Sequence, residues 1–500
     1  MIFFITNKLQ NFYRNEPSLR VLLFILITIQ ILVGIVVLTP FLINYDLTVY
    51  KDIMDGPGYI NFNFTNLKII LDQQRTFGAP LIIKAYSLFD KELSNWPNFI
   101  FIIYSFSNLI LFYSLIKINF SKIFSFLFVL GLICSNTLYS YTAYLSELLG
   151  ISLVLLALSF FFLGTKRNNI FLLFIFSIFL FLSYQVRPGF VVITLFPIFY
   201  FFFRNQKFNF KIIFFSLGPL VFFLILRFIL IGHIGLVSFN AGLPAHSMIY
   251  LDRNEIDKLS PYNQELATKF FERKEKLYYP CNLDSTTEQY IFLNSKKRFE
   301  EPYKNNPYSD VTYGQLPCWN DYHMMTWLET IKIIKKIEPF EKGDERNEIA
   351  WNHVKTLAEF WNKSAPLHEI NSVLVNFSSE VMKMHKKEIF FRFLKSPVYL
   401  LKLHRDLNSN LIFLYVIIFL CILFLKRQPK NYQKSINNFS NESILFVSFL
   451  FITGGNLIIL YLHQNGTPRD TLIHTFYLVP LVMSYIAFLI HKNLSESIKL

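Results

Sequence analysis

A chain of 500 residues, of which 53% are hydrophobic and 58 are phenylalanine, is too apolar for an ordinary soluble domain. Its mean hydropathy of +0.38 predicts a polytopic membrane protein instead. The 48 basic residues exceed the 34 acidic ones, but they cluster in short segments between apolar runs, so the charge indicates membrane topology and not a nucleic-acid partner.

The apolar runs predict an all-α bundle of about ten transmembrane helices. They lie at about 19–43, 98–116, 122–141, 147–163, 169–185, 189–203, 211–231, 411–425, 443–462 and 472–490. The first run is too long for a signal peptide and no small-residue cleavage site follows it, so we expect a retained helix. The runs at 169–185 and 189–203 are short, which leaves a hairpin or a partly re-entrant pair open.

The loops between these runs predict the orientation. Basic residues recur in every second connecting segment, and such segments face the cytoplasm. Both termini are therefore expected in the cytoplasm, with the loops 44–97 and 463–471 and the region 232–410 on the opposite side. We expect an integral protein of a bacterial inner (plasma) membrane.

Three domains follow from this pattern: an N-terminal transmembrane domain at 1–231, an extracytoplasmic soluble domain at 232–410, and C-terminal transmembrane helices at 411–500. Amphipathic segments at both ends of 232–410 predict a mostly helical domain with a loop-rich middle. Cys281 and Cys318 lie in that middle and are a disulfide candidate if it faces an oxidising space. Two free thiols are the alternative, because sequence spacing does not show that their Cα atoms meet.

Asp46 follows the first apolar run and is placed at the depth of the lipid headgroups. There its carboxylate could serve as a general base on an acceptor hydroxyl or amine. The alternative is a helix-end residue with no chemical role. Asp52, Asp55 and Asp72 compete for the role of base within the same loop.

Further charged residues are predicted at the outer membrane boundary. Glu147 would suit acceptor positioning or metal binding there, or it is a helix N-terminal charge favoured by the dipole. Arg75, Arg187 and Arg469 each lie near a proline at this boundary, and fixed arginines suit an external phosphate. Arg469 could instead form an ion pair with the adjacent aspartate.

The sequence has no nucleotide-binding motif: neither GxGxxG nor GxxxxGK[ST] occurs, and no Cys/His cluster has metal-ligand spacing. No metal residue is therefore assigned, although a divalent cation remains an open requirement. His463 and His474 flank the Arg469 loop and could help hold a phosphate, but we favour the interpretation that they are interfacial residues.

Several short motifs occur in the order seen in one enzyme family. They are Asp46 with Tyr50 in the first external loop, RTFGAPLIIKAYSLF from Arg75, YLSELLG around Glu147, VRPGF around Arg187, and TPRDTLIHTFYLVPL around Arg469. In this order the chain resembles the GT-C glycosyltransferases, which include the protein O-mannosyltransferases and the lipid A aminoarabinose transferases.

The resemblance implies a GT-C-like bundle and an inverting sugar transfer from a polyprenyl-phosphate-linked donor. Asp46 would deprotonate the acceptor, and Tyr50, Arg75, Glu147, Arg187 and Arg469 would bind substrate. The class of the acceptor, whether lipid, glycan or protein, stays open. Two other classes are also compatible: a transporter or flippase of a lipid-linked glycan, and a polysaccharide polymerase or ligase.

Overall fold

The computed structural model describes residues 18–43, 67–72, 76–91, 95–135, 146–204, 210–237, 251–277, 367–387, 440–463 and 475–496, together with the single positions 390 and 412. These parts of the chain are mostly helical and contain no strand. The α-helices are α1 Leu19–Ile43, α2 Leu67–Leu71, α3 Gly78–Tyr86, α4 Trp96–Lys117, α5 Lys122–Ile133, α6 Ser146–Arg167, α7 Ile170–Val186, α8 Phe196–Phe203, α9 Phe210–Ile231, α10 Pro261–Leu277, α11 Leu367–Met384, α12 Asn441–His463 and α13 Leu478–Glu496. Two 3₁₀ helices span Pro188–Leu195 and Arg253–Lys258.

Three helices are long and apolar enough to cross a membrane by length and composition: Trp96–Lys117, Glu147–Arg167 and Phe210–Ile231. They indicate a membrane protein. Shorter apolar helices accompany them, including α5, α7 and α13. Large apolar side chains such as Phe24 of α1 and Phe222 of α9 are exposed, as a lipid-facing surface requires.

The helix α6 lies at the centre of the bundle, and its side chains from Leu148 to Phe162 are almost all buried. It pairs with α7 through a tight turn at Asn168 and Asn169. Asn168 has a positive φ of 45°, and the side chain of Asn169 accepts hydrogen bonds from the first backbone amides of α7. The two helices approach closely at Gly164, where an added Cβ would lie 3.0 Å from a methyl group of Leu173.

At one end of the bundle, polar contacts connect chain segments that are distant in sequence. The Nζ of Lys166, at the end of α6, donates to the backbone oxygen of Lys117, at the end of α4. Glu442 in the first turn of α12 accepts a hydrogen bond of 2.6 Å from the backbone amide of Ser121. The carboxyl ends of α4 and α6 and the start of α12 therefore share this end, as the grouping of basic loops predicts.

The run at 189–203 is not one regular helix. Arg187 is extended, with φ −143° and ψ 111°, because the proline that follows disfavours the helical conformation at the preceding residue. A 3₁₀ helix over Pro188–Leu195 then leads into α8. The chain therefore leaves the α-helical conformation between the two short runs, and the second run is part 3₁₀ helix and part α-helix.

Outside the bundle, α10 and α11 form a small unit with the 3₁₀ helix Arg253–Lys258. Glu380 of α11 accepts hydrogen bonds from the backbone amide and the hydroxyl of Ser260, at 3.0 and 3.2 Å. His385 Nε2 lies 3.2 Å from Glu255 Oε2. The predicted helical character at both ends of the region 232–410 is present in these described helices. Its middle, with Cys281 and Cys318, lies outside the described residues.

Candidate functional site

Two of the residues predicted at the outer boundary meet in the structure. The Nη2 of Arg187 donates to Oε1 of Glu147 and forms an ion pair with it. The pair lies at the open end of the α6–α7 hairpin, and the turn at Asn168 and Asn169 closes the other end. Lys166, which contacts Lys117, is at that other end. The sequence placed both residues on one face of the membrane, and the structure adds the direct contact between them.

Local sequence explains how each partner is placed. Glu147 is the only acidic residue in the first turn of α6, where a negative charge is favoured by the helix dipole. Arg187 directly follows α7, and Pro188 ends that helix. The direct contact between their side chains shows that the start of α6 faces the end of α7.

Burial differs between the two partners. The side chain of Glu147 is 0% exposed, whereas that of Arg187 is 26% exposed. A fully buried carboxylate needs a positive partner, because desolvation of an unpaired charge costs several kcal/mol. The partly exposed guanidinium carries five N–H donors in a planar fork, which suits an oxyanion arriving from the surface. The pair can therefore hold an anion while Glu147 keeps the guanidinium in place.

Packing beside the pair is close. An added Cβ at Gly150 would lie 2.4 Å from the ring of Phe190, so the start of α6 contacts the first turn of the 3₁₀ helix after Arg187. An added Cβ at Gly78 would lie 2.5 Å from the backbone carbon of Gln185. The segment from Thr76 therefore lies against the last turn of α7, next to the ion pair.

A second polar cluster joins Asp72, directly after α2, to the start of α11. Asp72 Oδ1 accepts from the backbone amide of His368 at 3.2 Å, and Oδ2 lies 3.1 Å from His368 Nδ1. The ring of His233 lies 6.1 Å from that of His368, and its Nε2 is 3.2 Å from the backbone oxygen of Val237. These contacts connect the start of α11 to the segment that follows α2.

Arg227, in the last turns of α9, belongs to the same neighbourhood. It is 1% exposed, and its guanidinium carbon lies 5.9 Å from the centre of the Phe223 ring. Burial, with the nearby charge of Arg227 as the next cause, lowers the pKa of His233 below its ordinary value. The cluster therefore contains a neutral imidazole at neutral pH.

Sequence reasoning named Asp72 only as a competing carboxylate and missed Arg227, His233 and His368. For Arg227 a signal was present, because an arginine inside the apolar run 211–231 is rare and usually functional or paired. For His368 no local signal existed, since its partner Asp72 lies 296 residues away.

The remaining predicted site residues, Asp46, Tyr50, Arg75 and Arg469, lie outside the described residues, as do the competing Asp52 and Asp55 and the flanking His474. His463 is the last residue of α12. Among the residues that the structure describes, no group of three or more His, Cys, Asp or Glu side chains could hold a metal ion.

In comparisons with known proteins, no family model, curated protein or solved structure matches this chain.

Proposed function

We propose that the chain is a membrane glycosyltransferase that moves a sugar from a polyprenyl-phosphate-linked donor to an acceptor on the extracytoplasmic face. The observation that supports this proposal most is the ion pair of Arg187 with the fully buried Glu147. It joins the ends of two apolar helices at the outer boundary expected from the sequence. Burying an ion pair often adds little to stability, so a stabilising role alone does not explain this pair. Ionisable groups inside membrane segments commonly mark substrate sites.

The pair suits a lipid phosphate in charge and in position. Its partly exposed guanidinium lies at the ends of two apolar helices, the depth at which we expect the phosphate of a membrane-anchored donor. Arginine can bind phosphate oxygens through two parallel hydrogen bonds. In the proposed reaction the acceptor oxygen or nitrogen attacks the anomeric carbon while the bond from that carbon to the phosphate oxygen breaks. Arg187 then stabilises the charge of the departing lipid phosphate, together with Arg75 and Arg469.

The acceptor must lose a proton in this reaction, and Asp46 is the proposed general base. Tyr50 is proposed to bind substrate beside it, and Glu147 to act on the substrate through Arg187, which it holds in place. Asp72 is the less suitable carboxylate, because both of its oxygens contact His368, one at the backbone amide and one at the ring. The region 232–410 would cover the site and select the acceptor.

The test compares sugar transfer in membranes containing the wild type, Asp46→Asn or Arg187→Ala. Asp46→Asn removes the proton acceptor but keeps shape, so transfer should fall about 10²–10⁴-fold with donor binding retained. Arg187→Ala should weaken donor binding, because the phosphate loses a charge-assisted partner. Arg167→Ala is the matched control, since this exposed arginine lies at the other end of α6.

The outcomes separate the functional classes. A transporter or flippase would move lipid-linked glycan across the membrane and would not depend on one external carboxylate, so full activity of Asp46→Asn would contradict the proposed base. Loss of transfer with Asp52→Asn or Asp55→Asn instead would move the base along the same loop. Full transfer in all three of these variants would exclude the enzyme that we propose.

A further inference from the structure

Buried polar atoms without a hydrogen-bond partner collect where the Thr76 segment meets the end of α7. They are the hydroxyl of Thr76, the hydroxyl of Tyr184, and both amide atoms of Gln185. Thr76 is 5% exposed, and Tyr184 and Gln185 are 0% exposed. Each such group in a native protein requires an explanation, because a buried polar atom that loses its partner costs about 1–3 kcal/mol.

These atoms lie in one region. Phe77 packs on Phe181 of α7 with ring centres 6.1 Å apart, and Phe181 contacts the ring of Tyr184 at 5.4 Å. Gly78 follows Phe77, and its backbone meets that of Gln185 so closely that an added Cβ would lie 2.7 Å from the carbonyl oxygen. Thr76, which precedes Phe77, is therefore held beside the last turn of α7.

The region also adjoins the ion pair. Gln185 lies in the last turn of α7, and Arg187 follows that helix directly in an extended conformation, so their Cα atoms are at most about 7 Å apart at the same end of the hairpin. A group bound to Arg187 and a group bound to Gln185 could therefore be parts of one ligand. A sugar linked directly to a phosphate has this geometry, because the ring begins at the next atom beyond the phosphate oxygen.

The chemistry of the unpartnered atoms selects the class of ligand. The amide of Gln185 offers two donors and one acceptor, and the hydroxyls of Thr76 and Tyr184 each offer both functions. Hydroxyl groups of a ligand can satisfy such a mixed set, since each donates and accepts. These side chains carry no charge, so they would bind a second phosphate or a metal ion only weakly.

We propose that Gln185, Thr76 and Tyr184 form a subsite for the sugar hydroxyls of the donor whose phosphate Arg187 holds. This inference rests on the proposed function and specifies the part of the substrate that the site distinguishes. Gln185 binds the sugar and does not take part in proton transfer. Its role is therefore affinity for the sugar part of the donor.

The experiment measures donor binding by the full-length protein in detergent, using the shift in melting temperature. The probes are bare polyprenyl phosphate and a panel of its hexosyl and pentosyl esters. In the wild type, at least one ester should bind more tightly than the bare phosphate. In Gln185→Leu this advantage should fall about tenfold, the loss expected for one or two hydrogen bonds.

Gln30 in α1 supplies a matched control. It is 4% exposed and, like Gln185, both of its amide atoms lack a hydrogen-bond partner. Gln30→Leu and Gln185→Leu should both preserve or raise the melting temperature of the free protein, because each removes an unsatisfied buried amide. Only Gln185→Leu should lose the preference for the sugar ester. Tyr184→Phe is a second test of the subsite. It removes one hydroxyl, keeps the aromatic ring, and alters the protein less than Gln185→Leu does.

Unchanged preference for the sugar ester in both Gln185→Leu and Tyr184→Phe would overturn the subsite. Equal binding of every ester and of bare phosphate by the wild type would overturn it as well. The phosphate site is tested separately with bare polyprenyl phosphate. Its binding should be weaker in Arg187→Ala and unchanged in Gln185→Leu. Bare phosphate that binds equally to wild type and Arg187→Ala would contradict the proposed function itself.

Discussion

The fully buried carboxylate of Glu147 forms an ion pair with Arg187. Replacing Glu147 with alanine would leave the charge of Arg187 at an apolar boundary with its main partner removed. We expect Glu147→Ala to lower stability by about 2 kcal/mol or more, the range for one lost partner of a buried pair reduced for the partial exposure of Arg187. Thermal unfolding in detergent measures this loss.

The double variant Glu147→Ala/Arg187→Ala provides the control for that prediction. It removes both charges, so it should be more stable than Glu147→Ala alone if the cost arises from an unpaired guanidinium. Additive losses in the two single variants and the double variant would show that the side chains act independently.

His233 is a second residue whose environment decides its charge. Burial, then the charge of Arg227, lowers its pKa, while the hydrogen bond to Val237 and the carboxylate of Asp72 oppose the shift. The folded state therefore binds fewer protons at this site than the unfolded state does. Stability present at neutral pH should fall as the pH drops through about 6.5, the ordinary pKa of histidine.

Melting temperatures between pH 8 and pH 5.5 test this sign. His233→Asn removes the titrating group, so its melting temperature should depend less on pH than that of the wild type. The other imidazole in the cluster, His368, also faces Asp72, and the variant leaves it in place. Identical pH dependence in wild type and variant would assign the effect to other groups.

At the scale of helices, the contact between α3 and α7 requires a glycine. An added Cβ at Gly78 would lie 2.5 Å from a backbone atom of Gln185, and backbone cannot move aside as a flexible side chain can. Gly78→Ala should therefore separate the two helices and destabilise the protein by about 1–3 kcal/mol.

Gly454 in α12 is the matched position, since nothing lies within 4 Å of an added Cβ there. Gly454→Ala should be neutral or stabilising by up to about 1 kcal/mol, because alanine favours the helix. Equal effects of the two substitutions on the melting temperature would contradict the close approach of α3 to α7.

Asp72 joins the start of α11 to the segment that follows α2. Asp72 contacts both the backbone amide and the ring of His368, so Asp72→Ala should remove two contacts and His368→Ala only one. Hydrogen exchange in residues 367–384 should rise most in Asp72→Ala, because the first amides of the helix lose their acceptor. Unchanged exchange in Asp72→Ala would mean that other contacts hold the helix in place.

Across the whole molecule, hydropathy predicted where helices occur and did not predict what joins them. Helices occupy all or part of nine of the ten apolar runs, and the run at 411–425 lies outside the described residues apart from one position. Apolar length is a local property, so sequence alone suffices for it. Three described helices meet the length and composition needed to cross a membrane, and the expected total of about ten stays a prediction.

Contacts between distant segments could not be predicted in this way. The ion pair of Glu147 and Arg187 could be predicted only in part. The alternation of basic loops predicted that both residues lie on one face of the membrane, but it did not show that they touch. The docking of His368 on Asp72 and the unpartnered amide of Gln185 depend on packing of segments far apart in the chain. The base Asp46 and the arginines at 75 and 469 remain predictions from sequence.

The proposed function requires that the Glu147–Arg187 end of the bundle hold a lipid phosphate. A polyprenyl phosphate with a photoreactive group next to its phosphate tests it directly, through mass spectrometry of the crosslinked peptides. We predict crosslinks within residues 146–150 and 184–190, lost in Arg187→Ala. Crosslinks at the opposite end, near Lys117 and Lys166, with none around Arg187, would contradict the proposal.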